Sequence, residues 1–243
     1  MFALFRKEVS AFLNSLIGYI VIIVFLLING LFLWVLPVES NILDYGYANL
    51  DGLFTISPFV FLFLIPAITM RFFADEKRLG TMETLMTKPL TDQQIILAKY
   101  FAGVILVVIA LIPTLIYFIS VYLLGLPPGN MDTGGTWGSY VGLLFLGASF
   151  VAIGLFASSL TDNSVISFVL AAFLCAFTYI GFELIYTLDW FGSADLLVKN
   201  LGINTHYVSM SRGLIDSRDV LYFVSVVVFF LLLTKLSLES RKW

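Results

Sequence analysis

The sequence predicts an all-α integral membrane protein with six transmembrane helices, on the basis of its composition and the length of its apolar runs. The chain of 243 residues is 60% hydrophobic and only 12% charged, with a mean hydropathy of +1.01. Soluble domains carry roughly 25% charged residues, so this chain lacks the charge to cover a water-facing surface. A spanning helix needs about 20 mostly apolar residues. Runs of that kind are Leu16–Leu36, Thr55–Phe73, Ile95–Leu124, Trp137–Leu160, Ser164–Leu188 and Val220–Leu238.

The first residues predict an amphipathic helix at the membrane surface. Apolar residues recur three or four positions apart and share one helical face, whereas polar residues lie opposite. The apolar face is Phe2, Phe5, Val9, Phe12 and Leu16, and the polar face is Arg6, Lys7, Ser10 and Asn14. We expect this helix in the interface, the alternative being a frayed start to the first span. The first apolar run exceeds the roughly 7–15 residues of a secretory signal core, so it is expected to remain as an anchor.

The positive charges predict that both termini are cytoplasmic. With six spans, one side of the membrane holds both termini, the connection between the second and third spans, and the short turn TDNS at Thr161–Ser164. That side receives ten of the 13 Lys and Arg residues, and the first two loops of the other side receive none. Because Lys and Arg are retained in cytoplasmic loops, we expect a multi-pass protein of the bacterial inner membrane with both ends in the cytoplasm.

The last outer loop, Asp189–Asp219, is long and only partly polar. About 30 residues are too few for an independent core, so we expect short amphipathic helices half-buried in the outer leaflet. Gly213 is expected at a turn. Asp216 is expected to cap the sixth span, with Asp219 supporting its first turn. The whole chain is expected to form one membrane domain.

The most charged and polar stretch is ADEKRLGTMETLMTKPLTDQQIILAKY, at Ala74–Tyr100 between the second and third spans. Its first residues are predicted to continue the second helix out of the membrane and to stop at Gly80. Thr81 is predicted to cap a new helix of about two turns that ends before Pro89. Thr91 and Gln94 predict a capping box at the start of the third span.

The predicted two-turn helix has an apolar stripe (Met82, Leu85, Met86) and a polar one (Glu83, Thr84, Thr87). Isolated helices shorter than about 12 residues are marginal, so this one must be held by other parts of a structure. We expect its apolar side on the transmembrane bundle and its polar side on water or a partner. The alternative is an ordinary cytoplasmic loop.

The pattern of this stretch resembles the cytoplasmic loop of ABC-2-type transporter permeases. The resemblance is carried by Glu76-x3-Gly80-Thr81-x-Glu83, Lys88-Pro89-Leu90-Thr91 and Ala98-Lys99-Tyr100. In that family the short helix is a coupling helix that inserts into a cleft of an ATP-binding subunit. The six spans, the interfacial first helix and the half-buried outer loop are also family features, so the resemblance covers essentially the whole chain. It implies an ATPase-coupling site made of Glu76, Arg78, Gly80, Thr81, Met82, Glu83, Leu85, Lys88 and Pro89.

Any nucleotide chemistry is expected in a partner. The chain contains no G-x-x-x-x-G-K-[ST] motif and no Gly-Lys dipeptide, so the backbone cradle for nucleotide phosphates is not expected in it. The single cysteine, Cys175, permits neither an intrachain disulfide nor a cysteine metal cluster. We therefore expect no enzyme activity and no bound cofactor in this chain, with ATP and magnesium in a separate ATPase. Six spans suggest half of a translocation unit, and thus a dimer of identical or different permease chains with two ATP-binding subunits. The remaining expected partner is the lipid bilayer, and no nucleic acid is expected.

The main alternative is an ion-coupled secondary transporter or a channel. Such proteins place ionisable residues at mid-membrane, where each costs roughly 2.5–3.5 kcal/mol on insertion scales. The predicted spans contain almost none: Glu183 is interpreted as an interfacial carboxylate or, alternatively, a substrate ligand, and Asn29 as an interhelical hydrogen-bonding residue. Intramembrane catalysis is the third class. It is disfavoured because H-E-x-x-H is absent, the only histidine, His206, lies in the outer loop, and Ser158 and Ser159 have no base near them in sequence.

Small residues in the fourth span recur at four-residue spacings, which allows close helix approach within the subunit or at a dimer contact. They are Gly138, Gly142, Gly147, Ala148, Ala152, Gly154 and Ser158. Pro58, Pro66 and Pro113 remove backbone donors and are expected to bend the second and third spans.

Overall fold

The computed structural model describes residues 1–86, 90–189, 192 and 195–240, which contain helices and no β-strand. The helices are α1 (Phe2–Leu13), α2 (Leu16–Trp34), α3 (Ile42–Tyr45), α4 (Asp51–Thr69), α5 (Ala74–Arg78), α6 (Thr81–Met86), α7 (Asp92–Leu111), α8 (Leu115–Leu124), α9 (Thr133–Leu160), α10 (Ser164–Ala176), α11 (Phe182–Thr187), α12 (Asp195–Asn200), α13 (Ile203–Met210) and α14 (Ser217–Glu239). A 3-10 turn (Ile112–Thr114) joins α7 to α8, and a π-helical turn (Phe177–Gly181) joins α10 to α11.

Six segments of the described chain are long and apolar enough to cross a membrane, which confirms the predicted fold class. They are Leu16–Trp34, Asp51–Arg78, Asp92–Leu124, Thr133–Leu160, Ser164–Thr187 and Ser217–Glu239. The predicted limits differ from these by five residues or fewer. Several spans begin earlier than predicted because their first turns are polar, and a search for apolar runs passes over such turns.

Two predicted helix caps are confirmed. At the start of α7, the Gln94 N–H donates to the Thr91 hydroxyl and the Thr91 N–H donates to the Gln94 side chain, both at 3.3 Å. At the start of α14, the Asp216 carboxylate accepts from the Arg218 N–H at 3.0 Å. These contacts satisfy backbone donors that the first turn of a helix leaves without partners.

The central helix is α9, which packs against α4, α7, α10, α13 and α14. Its small residues face these neighbours at short range. A Cβ atom on Gly142 would lie 2.8 Å from the Met210 Cβ of α13, and one on Gly138 would lie 2.7 Å from the Gly213 Cα. Gly147 faces α7 in the same way. Packing within the chain therefore accounts for these small residues.

Polar residues and prolines inside the spans take part in the packing. Ser57 of α4 donates to Asn29 Oδ1 of α2 at 3.1 Å, which confirms the interhelical hydrogen bond predicted at Asn29. The third span is interrupted at the 3-10 turn that contains Pro113, because proline lacks the N–H that a continuous α-helix needs. In contrast, α4 continues through Pro58 and Pro66 as one helix.

Two short helices, α12 and α13, lie between α11 and α14, and α13 packs against α9 and α14 of the bundle. Ile203, Tyr207 and Met210 of α13 are buried. The Tyr207 hydroxyl donates to the Phe54 carbonyl O at 2.6 Å. Burial raises the pKa of Tyr207, so its phenol stays protonated and remains a donor.

Two further polar contacts fasten this segment. His206 Nδ1 lies 2.7 Å from Asp219 Oδ1 of α14, and the His206 ring stacks on Tyr222 with centroids 3.9 Å apart. The Asn204 side chain donates to Glu183 Oε2 of α11 at 2.6 Å. These contacts explain His206 and Glu183 as residues that hold α13 against its neighbours.

The first helix, α1, packs against α2 and the first turns of α7. Of the predicted stripe, Phe5, Val9 and Phe12 pack on the core, whereas Phe2 and Leu16 are exposed. Leu4 and Leu13, which lie outside that stripe, also pack on the core. The carboxylate of Glu8 reaches Lys99 of α7.

Candidate functional site at the basic end of the bundle

One end of the bundle carries α1, the segment from α5 to the start of α7, the turn at residues 161–163 and the end of α14. We call it the basic end, because seven of the ten Lys and Arg residues that the structure describes lie in α1, α5, the turn before α5, α7 and the end of α14. After α4 ends at Thr69, the chain turns through residues 70–73 and forms α5, the predicted extension of the second span. The predicted site residues lie in and after α5.

A buried serine of α9 holds the start of α5. The Ser158 hydroxyl accepts from the N–H groups of Phe73 at 2.9 Å and Ala74 at 3.1 Å, and it donates to the Met70 carbonyl O at 3.1 Å. Ser158 is fully buried. Its side chain accepts from the first backbone N–H groups of α5, as an N-cap residue does for its own helix, although Ser158 belongs to α9.

The last turn of α9 also holds the other end of α5. Lys77 Nζ donates to the Ser159 carbonyl O, and the Ser237 hydroxyl of α14 donates to the same oxygen at 3.1 Å. Carbonyl groups in the last turn of a helix lack intrahelical partners and carry partial negative charge, which favours a lysine. The fourth span therefore holds α5 at both ends.

A buried group of charges joins α5 to α1 and α7. The Lys99 side chain of α7 is 0% exposed, and its Nζ lies 3.0 Å from Glu8 Oε1 and 3.0 Å from Glu76 Oε1. It donates hydrogen bonds to Glu8 Oε1 and, at 2.7 Å, to the Phe72 carbonyl O, and it forms an ion pair with Glu76. At the rim, Lys7 Nζ lies 3.2 Å from Glu76 Oε1 and 3.5 Å from Glu8 Oε1. We call Lys7, Glu8, Glu76 and Lys99 the charge cluster; its two positive and two negative charges balance.

The rim lysine of this cluster stays charged. Partial burial acts to lower the pKa of Lys7, but the carboxylates of Glu8 and Glu76 outweigh it and raise the pKa above the ordinary value of 10.5. Lys7 is therefore positively charged at neutral pH. Lys99 carries one positive charge, whereas Glu8 and Glu76 carry two negative charges. Lys7 supplies the second positive charge.

The helix α5 stops at Gly80, as predicted. Gly80 has a left-handed φ of +67°, and its N–H donates to the Lys77 carbonyl O at 3.1 Å while the Leu79 N–H donates to the Asp75 carbonyl O at 3.0 Å. Nothing lies within 4 Å of where a Cβ of residue 80 would be. A side chain there would fit, but the backbone conformation would be strained for most residues with a Cβ, and least for Asn.

Thr81 does not cap α6 in the predicted way. It is the first residue of α6 instead of the residue before it, and its hydroxyl donates to the Glu76 carbonyl O at 3.3 Å. That carbonyl lies near the end of α5, where helix carbonyls need partners. Thr81 thus helps to end α5 by satisfying the Glu76 carbonyl. The start of α6 is set by the left-handed turn at Gly80.

The predicted apolar side of α6 rests on the protein, with Met82 and Leu85 at 9% and 7% exposure. The other side is exposed. We call the exposed residues of this stretch the α6 surface: Arg78, Leu79, Gly80, Thr81, Glu83 and Thr84. It combines a guanidinium, an apolar side chain, hydroxyls and a carboxylate around a tight turn. Such mixed chemistry suits contact with another protein better than contact with lipid.

The predicted site residues thus divide into three groups. Arg78, Gly80, Thr81 and Glu83 face outward, Met82 and Leu85 anchor the helix, and Glu76 points inward to the charge cluster with 12% of its side chain exposed. Lys88 and Pro89 lie outside the described residues, as do Thr87 and the side chain of Met86.

Sequence reasoning missed the residues that hold the site in place, namely Lys7, Glu8, Lys99 and Ser158. Lys99 carried a usable signal, since a lysine inside a predicted span, about one turn after its start at Ile95, is costly unless it has partners. Its partners carried none, because Glu8 is 91 positions away in sequence.

A cavity of about 460 Å³ lies beside the charge cluster, between α1 and the α4–α5 connection. Its lining mixes apolar residues, such as Phe12 and Ile68, with Lys7, Arg71 and Glu76. Among the described residues, no group of three or more His, Cys, Asp and Glu residues is placed to hold a metal ion.

The comparison with known families agrees with this geometry. The pattern described as ABC-2 family transporter protein matches residues 36–198, which is more than half of the chain. The match runs from the end of the first span into α12 and includes all of α5 and α6. A search among curated proteins gave no match. With its six spans and this match, the chain belongs to the ABC-2 family of transporter proteins.

Proposed function

We propose that this chain is the permease subunit of an ATP-driven exporter, and that a separate ATP-binding subunit drives it through the α6 surface. Membership of the ABC-2 family supports the permease role. The observation that carries the coupling role is α6 itself. Its six residues are too few to be stable alone, and it is held against the bundle by Met82 and Leu85 while its other side is left exposed.

The attachments of α5 support the same role. A force on α6 passes through the turn at Gly80 into α5. Because Ser158 and the Ser159 carbonyl bind α5 to α9, and the charge cluster binds it to α7, the force then reaches the third and fourth spans. A loop attached in this way can move membrane helices, whereas a loosely attached one would only bend.

The proposal includes the wider assembly. The basic end is cytoplasmic, in agreement with the retention of Lys and Arg on that side of the bacterial inner membrane. ATP and magnesium bind in the partner, since the chain has no phosphate-binding motif. Two permease chains and two ATP-binding subunits form the complete transporter.

For the physiological setting, we propose gliding motility and its associated secretion. The chain resembles the gliding-motility-associated permease subunit GldF in its small size, in its MxxLxxKE-like start and in RGLIDSRDVLYF at Arg212–Phe223. Permeases of copper-site maturation systems share much of this pattern and are the alternative setting. Deletion of the gene tests the choice, because loss of surface spreading supports the first setting and loss of copper-enzyme activity supports the second.

Affinity purification of the solubilised protein tests the coupling role. We expect a stoichiometric partner that contains a P-loop motif, and we expect the complex to hydrolyse ATP. Glu83→Lys should remove the partner, since it reverses the charge at the centre of the α6 surface. Asp162→Lys is the matched control, because Asp162 is an exposed acidic residue of another turn at the basic end. Equal recovery of the partner with both variants would contradict the assignment of α6.

The ion-coupled alternative makes a different prediction. Within the described spans, charged residues and histidine are absent from the central turns, and Lys99 near the basic end is neutralised by its partners. The purified chain in liposomes should therefore pass no protons under an imposed pH gradient when nucleotide is absent. Rapid proton flux, read from a dye enclosed in the liposomes, would favour the alternative.

A further inference from the structure

The charge cluster connects elements that the chain separates. Lys99 belongs to α7, and its three partners are Glu8 of α1, Glu76 of α5 and the Phe72 carbonyl in the turn before α5. Two of those three partners belong to α5 or its immediate start. The ammonium group of Lys99 is therefore placed to set where α5 lies relative to the third span.

Stability alone does not account for this arrangement. Burying charges costs more than packing apolar residues of similar volume, and replacing a buried ion pair by such residues is often neutral or stabilising. What charges provide instead is geometric selectivity, because a buried ammonium is satisfied only when its acceptors lie at hydrogen-bond distance. Lys99, at 0% exposure with two hydrogen bonds and a further carboxylate oxygen at 3.0 Å, fits that description.

The packing around the charge cluster also indicates that charged contacts set the position of α5. The cavity of about 460 Å³ lies between α1 and the α4–α5 connection, and Glu8, Glu76 and Phe72 line it. Apolar packing therefore does not fill the space on that side of α5. The contact between α5 and α7 is made instead by the ion pair of Lys99 with Glu76 and by its bond to the Phe72 carbonyl.

We propose that Lys99 is a positioning residue for coupling: through Glu76 and the Phe72 carbonyl it holds α5 in fixed register with the third span. The proposal rests on the proposed function, since α5 carries the α6 surface. Glu8 and Lys7 complete the charge balance. They do not carry the contact between α5 and α7.

Two double variants separate this role from a general contribution to stability. Lys7→Met/Glu76→Met leaves Lys99 paired with Glu8 and breaks the ion-pair bridge to α5, so that only the bond to the Phe72 carbonyl remains. Lys7→Met/Glu8→Met leaves Lys99 paired with Glu76 and keeps the ion-pair bridge. Each variant removes one lysine and one glutamate, and each leaves Lys99 with one carboxylate at 3.0 Å. The cost to folding is thus matched, and only the identity of the bridged helix differs.

The measurements are made on the complex with the ATP-binding subunit that co-purifies with the wild-type protein, reconstituted in liposomes. We expect both variants to bind that subunit with wild-type affinity, because neither changes the α6 surface. We expect ATP hydrolysis by the complex to fall at least tenfold when the bridge to α5 is broken and to stay within twofold of wild type when it is kept. The Lys99→Met variant should lose ATP hydrolysis to the same extent as Lys7→Met/Glu76→Met.

Three outcomes overturn the inference. Equal ATPase rates for the two double variants would show that the cluster acts only through stability. Loss of subunit binding in parallel with the ATPase rate would assign Glu76 to the interface instead of to positioning. A wild-type protein that binds no ATP-binding subunit would overturn the proposed function, and this inference with it.

Discussion

Replacing Ser158 by alanine should loosen α5 from the fourth span. The change removes one hydroxyl and, with it, three hydrogen bonds, namely two from the Phe73 and Ala74 N–H groups and one to the Met70 carbonyl. Each such bond contributes about 1 kcal/mol net, and a buried group left without a partner costs about 1–3 kcal/mol. Because Ser158 is fully buried, water does not replace the lost partner, and we expect the free energy of unfolding to fall by about 3 kcal/mol.

Ser149→Ala is the matched control for this prediction. Ser149 belongs to the same helix and is also fully buried, but its hydroxyl has no hydrogen-bond partner among the described residues. Removing a buried hydroxyl that lacks a partner should be neutral or slightly stabilising. The two variants thus share the chemistry and the burial and differ only in the bonds to α5.

Reversible unfolding in mixed micelles, followed by tryptophan fluorescence, measures the global effect. Hydrogen exchange measures the local one: the Phe73 and Ala74 amides should exchange about 100-fold faster in Ser158→Ala if 3 kcal/mol of local protection is lost. Exchange rates within threefold of wild type, or equal unfolding free energies for Ser158→Ala and Ser149→Ala, would refute the argument that Ser158 holds α5.

Three further predictions concern single positions. Gly80→Val should lower the stability of the loop by about 1–2 kcal/mol and reduce ATPase stimulation, because its left-handed φ strains a β-branched residue, whereas Gly80→Asn should be tolerated; equal ATPase rates for the two variants would contradict this. Gly138→Ala should destabilise the protein by about 1–3 kcal/mol, since its Cβ would lie 2.7 Å from the Gly213 backbone. Gly134→Ala should be neutral or stabilising, because its Cβ would lie at an ordinary 3.6 Å from the nearest atom, Asp132 Oδ1. A lower thermal-unfolding temperature for Gly134→Ala than for Gly138→Ala would count against the packing of α9. Tyr207→Phe should cost about 1–2 kcal/mol through loss of its buried hydrogen bond, and unchanged proteolysis of the segment from α12 to α13 would show that the bond does not hold that segment.

The architecture follows from local sequence rules to a large extent. Spans, caps and the stop at Gly80 depend on residues within one or two turns of each other, so length, periodicity and capping chemistry predict them. The Thr91–Gln94 capping box and the Asp216 cap are examples. The burial of Met82 and Leu85 likewise follows from the apolar stripe of α6.

The attachments of the site could not be predicted in the same way. The contact between Glu8 and Lys99 joins positions 91 residues apart, and the contact between Ser158 and Phe73 joins positions 85 apart. Nothing in the local pattern of α1 distinguishes Glu8 from a residue that faces water. Glu76 shows the consequence: the family resemblance places it among the residues that contact the ATPase, whereas the structure turns its side chain inward to Lys99.

We propose site-specific photocrosslinking in living cells to test whether an ATP-binding subunit contacts α6. A photoreactive amino acid in place of Glu83 samples the middle of the α6 surface, and the same residue in place of Asp162 samples another exposed turn at the basic end. We expect position 83 to capture a protein with a P-loop motif and position 162 to capture much less of it. Capture of only lipid and other copies of this chain at position 83, in cells where the transporter is active, would contradict the account.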